Sequence, residues 1–186
     1  NRENRHGTVY AAISSEVVGK YYDRPKDIEF TAPVVPHVCP DPWTPSVDDA
    51  REFRQLLNIP ESAVVFGRYG GVETFDIPFV QEVVREIARE NSDIYFVFMN
   101  TEKFVKHPRV RFLKRTTDRN TKRWFVNGTD AMLHARQLGE SFGLAIAEFS
   151  AGGKPVFTYR DPATPFLEHR AHHTFLGDTA IYYSTP

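Results

Sequence analysis

The stretch Glu140-Ser141-Phe142-Gly143-Leu144-Ala145-Ile146-Ala147-Glu148-Phe149-Ser150-Ala151-Gly152-Gly153-Lys154-Pro155-Val156 sets the reading of the whole chain. Its apolar middle is bounded by two carboxylates and reads as a helix opening at Gly143. Gly152-Gly153 stops that helix, and residues 154–158 read as the next strand. A loop, a helix N-terminus and a strand in that order make an anion-binding corner. The first-turn N–H groups of a helix lack intrahelical partners, and the dipole favours negative charge there. Gly143 leaves room for a ligand to approach the backbone. Glu140 is expected just before the helix and Glu148 about two turns inside it. With a phosphate at Gly143, one acid can reach each side of a diphosphate-linked ligand. Carboxylates accept hydrogen bonds from hydroxyls, so sugars and riboses are their natural partners.

Working outward, strand-like and helix-like segments alternate from residue 46 onward. Ser46-Val47-Asp48-Asp49 is close to a capping box and starts a helix with Ala50, Phe53, Leu56 and Leu57 on one face. Residues 63–66 read as a buried strand, with Gly67-Arg68-Tyr69-Gly70-Gly71 as the loop at its carboxyl end. Asp76 is expected to cap the next helix, with Pro78 in its first turn. Ile77, Val80, Val83, Val84, Ile87 and Ala88 form its apolar stripe. Residues 94–99, 110–113, 130–135 and 180–183 read as strands, and 163–173 as a helix. Residues 114–124 are rich in Lys, Arg and Thr and receive no element. The expected fold is α/β, a Rossmann-like, mostly parallel sheet with helices on both faces.

The amino-terminal part is different. Residues 1–7 read as a frayed polar end, 8–14 as a short strand, 15–22 as a short helix and 30–35 as a strand. Four prolines within 36–45 deny both helix and ladder hydrogen bonding, so that segment reads as a stiff linker.

Bulk properties exclude several classes. A net charge of −1 gives no case for nucleic acid or an anionic membrane surface. The longest apolar runs are too short to span a bilayer, and no signal peptide is visible. The lone Cys39 excludes an internal disulfide framework and fits a reducing, cytoplasmic setting. The chain lacks an initiator Met and stops just after a strand-like run, so it is expected to be a piece of a longer protein. Asn127-Gly128-Thr129 is a sequon of a kind that arises often by chance. Gly67-Arg68-Tyr69-Gly70-Gly71 has no Gly-Lys-Ser/Thr ending and no dinucleotide fingerprint, which rejects ATP and NAD readings. His169, His172 and His173 complete no acid–His metal set, and no metal is expected. Ser141 has no His–Asp partner pattern for a hydrolase.

The 140–156 stretch resembles the donor-binding signature of retaining GT-B glycosyltransferases, the group 1 family. There a Glu, an aromatic-Gly step, an apolar helix, a second Glu, a Gly turn and Pro-Val follow one another, and each part is present here. Residues 8–39 resemble the last segment of that family's first domain. The resemblance implies three parts. These are a remnant of the amino-terminal acceptor domain (1–35), a Pro-rich linker (36–45) and a nucleotide-sugar-binding domain (46–186), most of the acceptor domain being missing.

It also implies roles. Glu140 binds the donor sugar's hydroxyls, and Ser141, Phe142, Gly143 and Leu144 offer backbone N–H groups to sugar and phosphate. Glu148 binds the ribose. Gly67-Arg68 holds the pyrophosphate, and Gly70 and Gly71 permit close approach; Glu140 and Arg68 are the catalytic candidates. Members usually carry a Lys a few residues beyond that Arg. Here the slot falls on Glu73, and Arg136, near His134, is the candidate for the missing charge. Residues 112–116 match the loop whose backbone reads the base. The implied activity is retaining transfer of a sugar from a nucleotide-sugar to an unknown acceptor, with no cofactor or metal. Two rivals stand beside it: an epimerase or phosphorylase of the same architecture, and a domain that binds nucleotide-sugar without catalysis.

Overall fold

A computed structural model describes residues 11–15, 17, 33–39, 44–160 and 169–185. Ser46 caps the first long helix, its side chain accepting from the Asp49 N–H at 3.1 Å, and helix α1 runs Val47–Leu56. Strand β1 (Val64–Tyr69) follows, then helix α2 (Pro78–Glu90), strands β2 (Ile94–Met99) and β3 (Val110–Leu113), and helix α3 (Arg119–Gly128). Strand β4 (Ala131–His134), a short strand β5 (Gly139–Glu140), helix α4 (Leu144–Ala151) and strand β6 (Val156–Tyr159) come next. Strand β7 (His169–Arg170), helix α5 (Ala171–Leu176) and strand β8 (Ile181–Tyr183) complete the elements.

The main sheet has the order β3-β2-β1-β4-β6-β8, and every pairing in it is parallel. Counted along the chain, its strands run 3-2-1-4-5-6, the doubly wound order, which reverses between β1 and β4. Phe66 pairs with Ala131 and Gly67 with Met132 at that reversal. A second, two-stranded sheet joins β5 to β7, with Glu140 opposite Arg170.

Helices cover both faces. On one, Phe53, Phe125, Ile146, Phe149 and Leu176 pack against Val65, Val97, Met132 and Val156. On the other, Val80, Val84 and Ala88 of α2 pack with Phe96, Phe98 and Val110. The α1–α3 contact is close because Gly128 has no side chain: a Cβ there would lie 2.0 Å from Phe53 Cγ. Asp49 clamps the same pair, accepting from Arg123 Nε at 3.1 Å and Asn127 Nδ2 at 2.9 Å.

Several expectations change. Leu56 is 63% exposed, and of the α1 face only Phe53 is fully buried. Asp76 does not cap α2, whose N-cap is Ile77 without a side-chain bond. Pro78 has no N–H to offer, and Asp76 instead accepts from the Gln137 N–H at 2.7 Å. In the α2 stripe Val83 is 40% exposed. Helix α3 was not foreseen. Asp118 caps it, accepting from Thr121 N at 2.7 Å. β1 runs on through Tyr69, opposite Met99, so Arg68 lies in the strand and not in the loop after it. Strand β7 occupies His169–Arg170, where a helix was expected, because these residues pair with β5; α5 begins at Ala171.

Of the amino-terminal elements, Ala12 and Val34 form one isolated parallel bridge, and Ser15 and Val17 are helical. Residues 11, 13, 14, 33 and 35, expected in strands, are not in strands, and the other residues of those expectations lie outside the described residues, as do residues 1–7 and 163–168. Residues 36–39, 44 and 45 of the expected linker carry no regular structure.

Candidate functional site

Ligands of open α/β sheets bind outside the carboxyl ends of the strands, where the strand order reverses. Here β1 ends in Arg68-Tyr69 and β4 in His134, and Ala135-Arg136 follows. Gly143, the N-cap of α4, has φ +90°, a conformation that favours glycine, so the turn into α4 depends on that residue. Ala147 N closes the first turn on Gly143 O at 3.0 Å, leaving the earlier N–H groups without intrahelical acceptors.

Glu148 lies one helical repeat further on and is 3% exposed. Tyr69 Oη donates to its Oε2 at 2.7 Å, and Lys122 Nζ lies 3.3 Å from both carboxylate oxygens. The same ammonium sits 5.2 Å from the centre of the Tyr69 ring. Burial, then the charge and hydrogen bond of Glu148, push the Tyr69 phenol far above its usual range, so it remains a donor.

Glu140 occupies the other side of the turn. Arg136 Nη1 donates to its Oε2 at 2.7 Å, and His134 Nε2 faces its Oε1 at 3.3 Å. Burial alone would raise the Glu140 carboxyl. The hydrogen bond and charge of His134, together with Arg136, outweigh burial and hold it below the usual range. An ionised Glu140 requires a proton on His134 Nε2, and His134 Nδ1 then meets Thr158 Oγ1 at 2.8 Å. Behind it His172 is fully buried, its ring 5.0 Å from that of His134, and among the described residues neither ring nitrogen meets a partner in good hydrogen-bonding geometry. Burial, reinforced by His134, His173 and Arg136, holds His172 neutral far below the usual histidine range, and the Glu140 backbone offsets only part of this.

Arg68 is 2% exposed. Its guanidinium donates to Thr101 Oγ1, to Thr74 Oγ1 and, at 3.1 Å, to Gly71 O. Burial lowers its pKa to about 10 against the opposing pull of Glu140 and Asp76. The guanidinium therefore holds the 70–74 loop. Gly67 lies inside β1, where a Cβ would meet Thr129 Cγ2 at 2.4 Å, so its place is in strand–helix packing. Glu73 is exposed. Phe142 packs edge-on to His37 and against Phe175, each at a centroid distance of 5.4 Å.

A cleft of about 460 Å³ opens at the ends of β1 and β2. Tyr69, Gly70, Asn100, Arg115, Thr116 and Lys122 line it together with Leu144, Ala145 and Glu148 of α4. Asn100 ties the strand ends together, its Nδ2 donating to Gly70 O at 2.6 Å. The expected base-reading loop is thus on the cleft, as are Gly70, Leu144 and Glu148. Arg68, Arg136 and Glu140 are outside its lining, on the β1–β4 side. Tyr69, Asn100 and Lys122 were not singled out from the sequence. Asp118 followed by Trp124-Phe125 at helical spacing was the overlooked signal for α3, and hence for Lys122.

Among the described residues, no three His, Cys, Asp or Glu side chains are grouped to hold a metal ion, and no helix is long and apolar enough to cross a membrane.

Solved structures share this architecture, among them the following three. A glycosyltransferase from Rickettsia africae matches with a TM-score of 0.62 and 15% identity, over 84% of this chain and 45% of its own. HepE from Anabaena, solved with UDP and glucose, matches with a TM-score of 0.56 and 18% identity, over 75% of this chain and 39% of its own. WaaG, a glycosyltransferase involved in lipopolysaccharide biosynthesis, matches with a TM-score of 0.55 and 14% identity, over 78% and 40%. The fold is that of a GT-B glycosyltransferase domain. This chain spans less than half the length of each of those structures. No family model matches the chain, and no curated protein does.

Proposed function

We propose that this chain is the nucleotide-sugar-binding domain of a retaining glycosyltransferase, with residues 46–186 forming the donor site and residues 1–35 belonging to an acceptor domain. The observation that carries the reading is the placement of a buried acid, Glu148, and a half-buried one, Glu140, on either side of the Gly143 turn. Glu148 faces the cleft, and Glu140 stands at the sheet's reversal point. HepE, a structure of the same fold, was solved with UDP-glucose, which supports a nucleotide-sugar as the ligand.

In this reading the base enters between Gly70 and the 115–117 loop, and Glu148 accepts from the ribose hydroxyls. The diphosphate lies at the α4 N-terminus, met by N–H groups from Ser141 to Leu144. Glu140 accepts from the sugar hydroxyls. Arg68 takes the diphosphate once the 70–74 loop yields its bonds, and its charge offsets the negative charge that develops as the anomeric bond breaks. Arg136 neutralises Glu140 and adds to the positive field in the place of a cation at Glu73. Leaving-group electrostatics, not a protein nucleophile, carries the chemistry, and no metal or cofactor takes part. The acceptor binds between this domain and another.

Thermal shift and calorimetry against UDP, GDP, ADP and their sugar conjugates test this, with Glu148→Ala and Arg68→Ala alongside. A ligand that binds the folded form raises apparent stability by mass action. Saturable binding of one nucleotide, lost in both variants, is the expected result. A well-folded chain that binds none of them contradicts the reading. A second reading, a domain that binds but does not catalyse, is favoured by Glu73 in the Lys slot and by the engaged Arg68. It requires binding with no turnover in the full-length protein.

A further inference from the structure

Lys122 is placed by the helix that the sequence concealed. Asp118 caps α3, and Lys122 closes its first turn, Lys122 N donating to Asp118 O at 3.1 Å. Phe125 and Val126 lie three and four positions further on, and both are fully buried. Residues at those spacings share a helix face. Lys122 therefore rides at the end of the face that packs into the core, and its stem carries the ammonium to the cleft. Its neighbour Arg123 turns to Asp49 instead, at 3.1 Å.

We infer that Lys122 is a positioning residue for ribose recognition: with Tyr69 it fixes the Glu148 carboxylate so that its remaining acceptor positions face the cleft. This rests on the donor-site reading above. A carboxylate has about four acceptor positions. Tyr69 Oη takes one at 2.7 Å, and the ammonium spans both oxygens at 3.3 Å. Lys122 is itself held between that carboxylate and the Tyr69 ring, with 22% of its side chain exposed. A lone ionised acid at 3% exposure would carry a heavy desolvation cost, which a paired cation offsets. What remains is an oriented acceptor surface for two vicinal hydroxyls. A pair that merely neutralised a buried acid would alter stability and overall anion affinity. It would leave the preference between a ribose and a sugar without those hydroxyls unchanged.

The test is calorimetry of this chain with UDP and with its 2′,3′-dideoxy analogue, or with the corresponding GDP or ADP pair if one of those is the nucleotide bound. Wild type is compared with Lys122→Met and Lys122→Arg, and thermal unfolding is followed for each. Wild type is expected to prefer the ribonucleotide. Lys122→Met keeps the stem and loses the charge. It should weaken the ribonucleotide about tenfold or more while the dideoxy analogue changes little, so that the preference collapses. Lys122→Arg, whose guanidinium also pairs with a carboxylate, should restore it. Equal weakening of both ligands, or an unchanged preference in folded Lys122→Met, overturns the inference and leaves the donor-site reading standing. Failure of wild type to bind any of UDP, GDP and ADP overturns both. If Lys122→Met does not fold, Tyr69→Phe decides, because it keeps the ring and removes one fixing bond: a reduced ribose preference supports the inference, and an unchanged one overturns it.

Discussion

Tyr69 and Glu148, 79 positions apart in sequence, are joined by a buried hydrogen bond of 2.7 Å that ties the end of β1 to the second turn of α4. Both groups are shielded from water, so the bond to an ionised acceptor is strong and its loss leaves the carboxylate under-satisfied. Tyr69→Phe is expected to destabilise the fold by about 1–3 kcal/mol, read from the urea midpoint at unchanged slope.

The α1–α3 seam gives a second prediction. Phe53 is fully buried and lies where a Gly128 side chain would be. Phe53→Ala should cost about 3–5 kcal/mol by leaving a cavity. Gly128→Ala should also destabilise, for the opposite reason of overpacking. The two together should cost less than their sum, because the cavity accepts the added methyl group. Chemical denaturation of the four proteins measures this.

Much of this architecture was legible in the sequence. The alternation of apolar runs and capped helices from Ser46 onward gave a parallel sheet because parallel strands need long crossovers and are buried on both faces. The Gly143 turn and the helix to Gly152 were readable from local chemistry alone. What stayed hidden depended on contacts between distant residues. Arg68 looked like a loop cation, yet parallel pairing with β2 extends β1 through it, and Thr74, Gly71 and Thr101 engage it. Asp76 looked like a cap, but its carboxylate joins the β1 loop to Gln137, across 61 positions. Helix α3 hid because its first half is basic and polar, while its buried residues, Phe125, Val126, Asn127 and Gly128, form one consecutive run with no helical period. With it went Lys122.

Acid sensitivity should come from the histidine column behind Glu140. Burial lowers His173 to about 4, against the Tyr159 carbonyl's opposing pull, and drives His172 further in the same direction. In the unfolded chain both return to the ordinary histidine value of 6.5. Between those values the unfolded state binds more protons, so stability rises with pH. The full contribution is therefore present above about pH 6.5 and falls away toward pH 4. Thermal unfolding across that window should show the decline, and His172→Phe, which cannot titrate, should make it shallower.

Arg136→Met removes the donor 2.7 Å from Glu140 Oε2 and part of the field that keeps that acid ionised. A depressed carboxylate stays charged down to its folded pKa, so losing the cation raises the pH at which it protonates. The acid limb of sugar-nucleotide binding should move to higher pH in Arg136→Met, with the neutral-pH plateau of nucleotide binding changed less. Calorimetric titrations from acid to neutral pH separate the two effects.

The division of labour between the two acids is the central claim, and one matrix of titrations tests it directly. UDP and UDP-glucose are titrated into wild type, Glu140→Gln and Glu148→Gln, each shown to be folded. The account predicts that Glu148→Gln weakens both ligands, because both carry the ribose. It predicts that Glu140→Gln leaves UDP nearly unchanged and removes the extra affinity conferred by the sugar. Loss of UDP binding in Glu140→Gln with none in Glu148→Gln, or wild-type binding of both ligands by both variants, would contradict it.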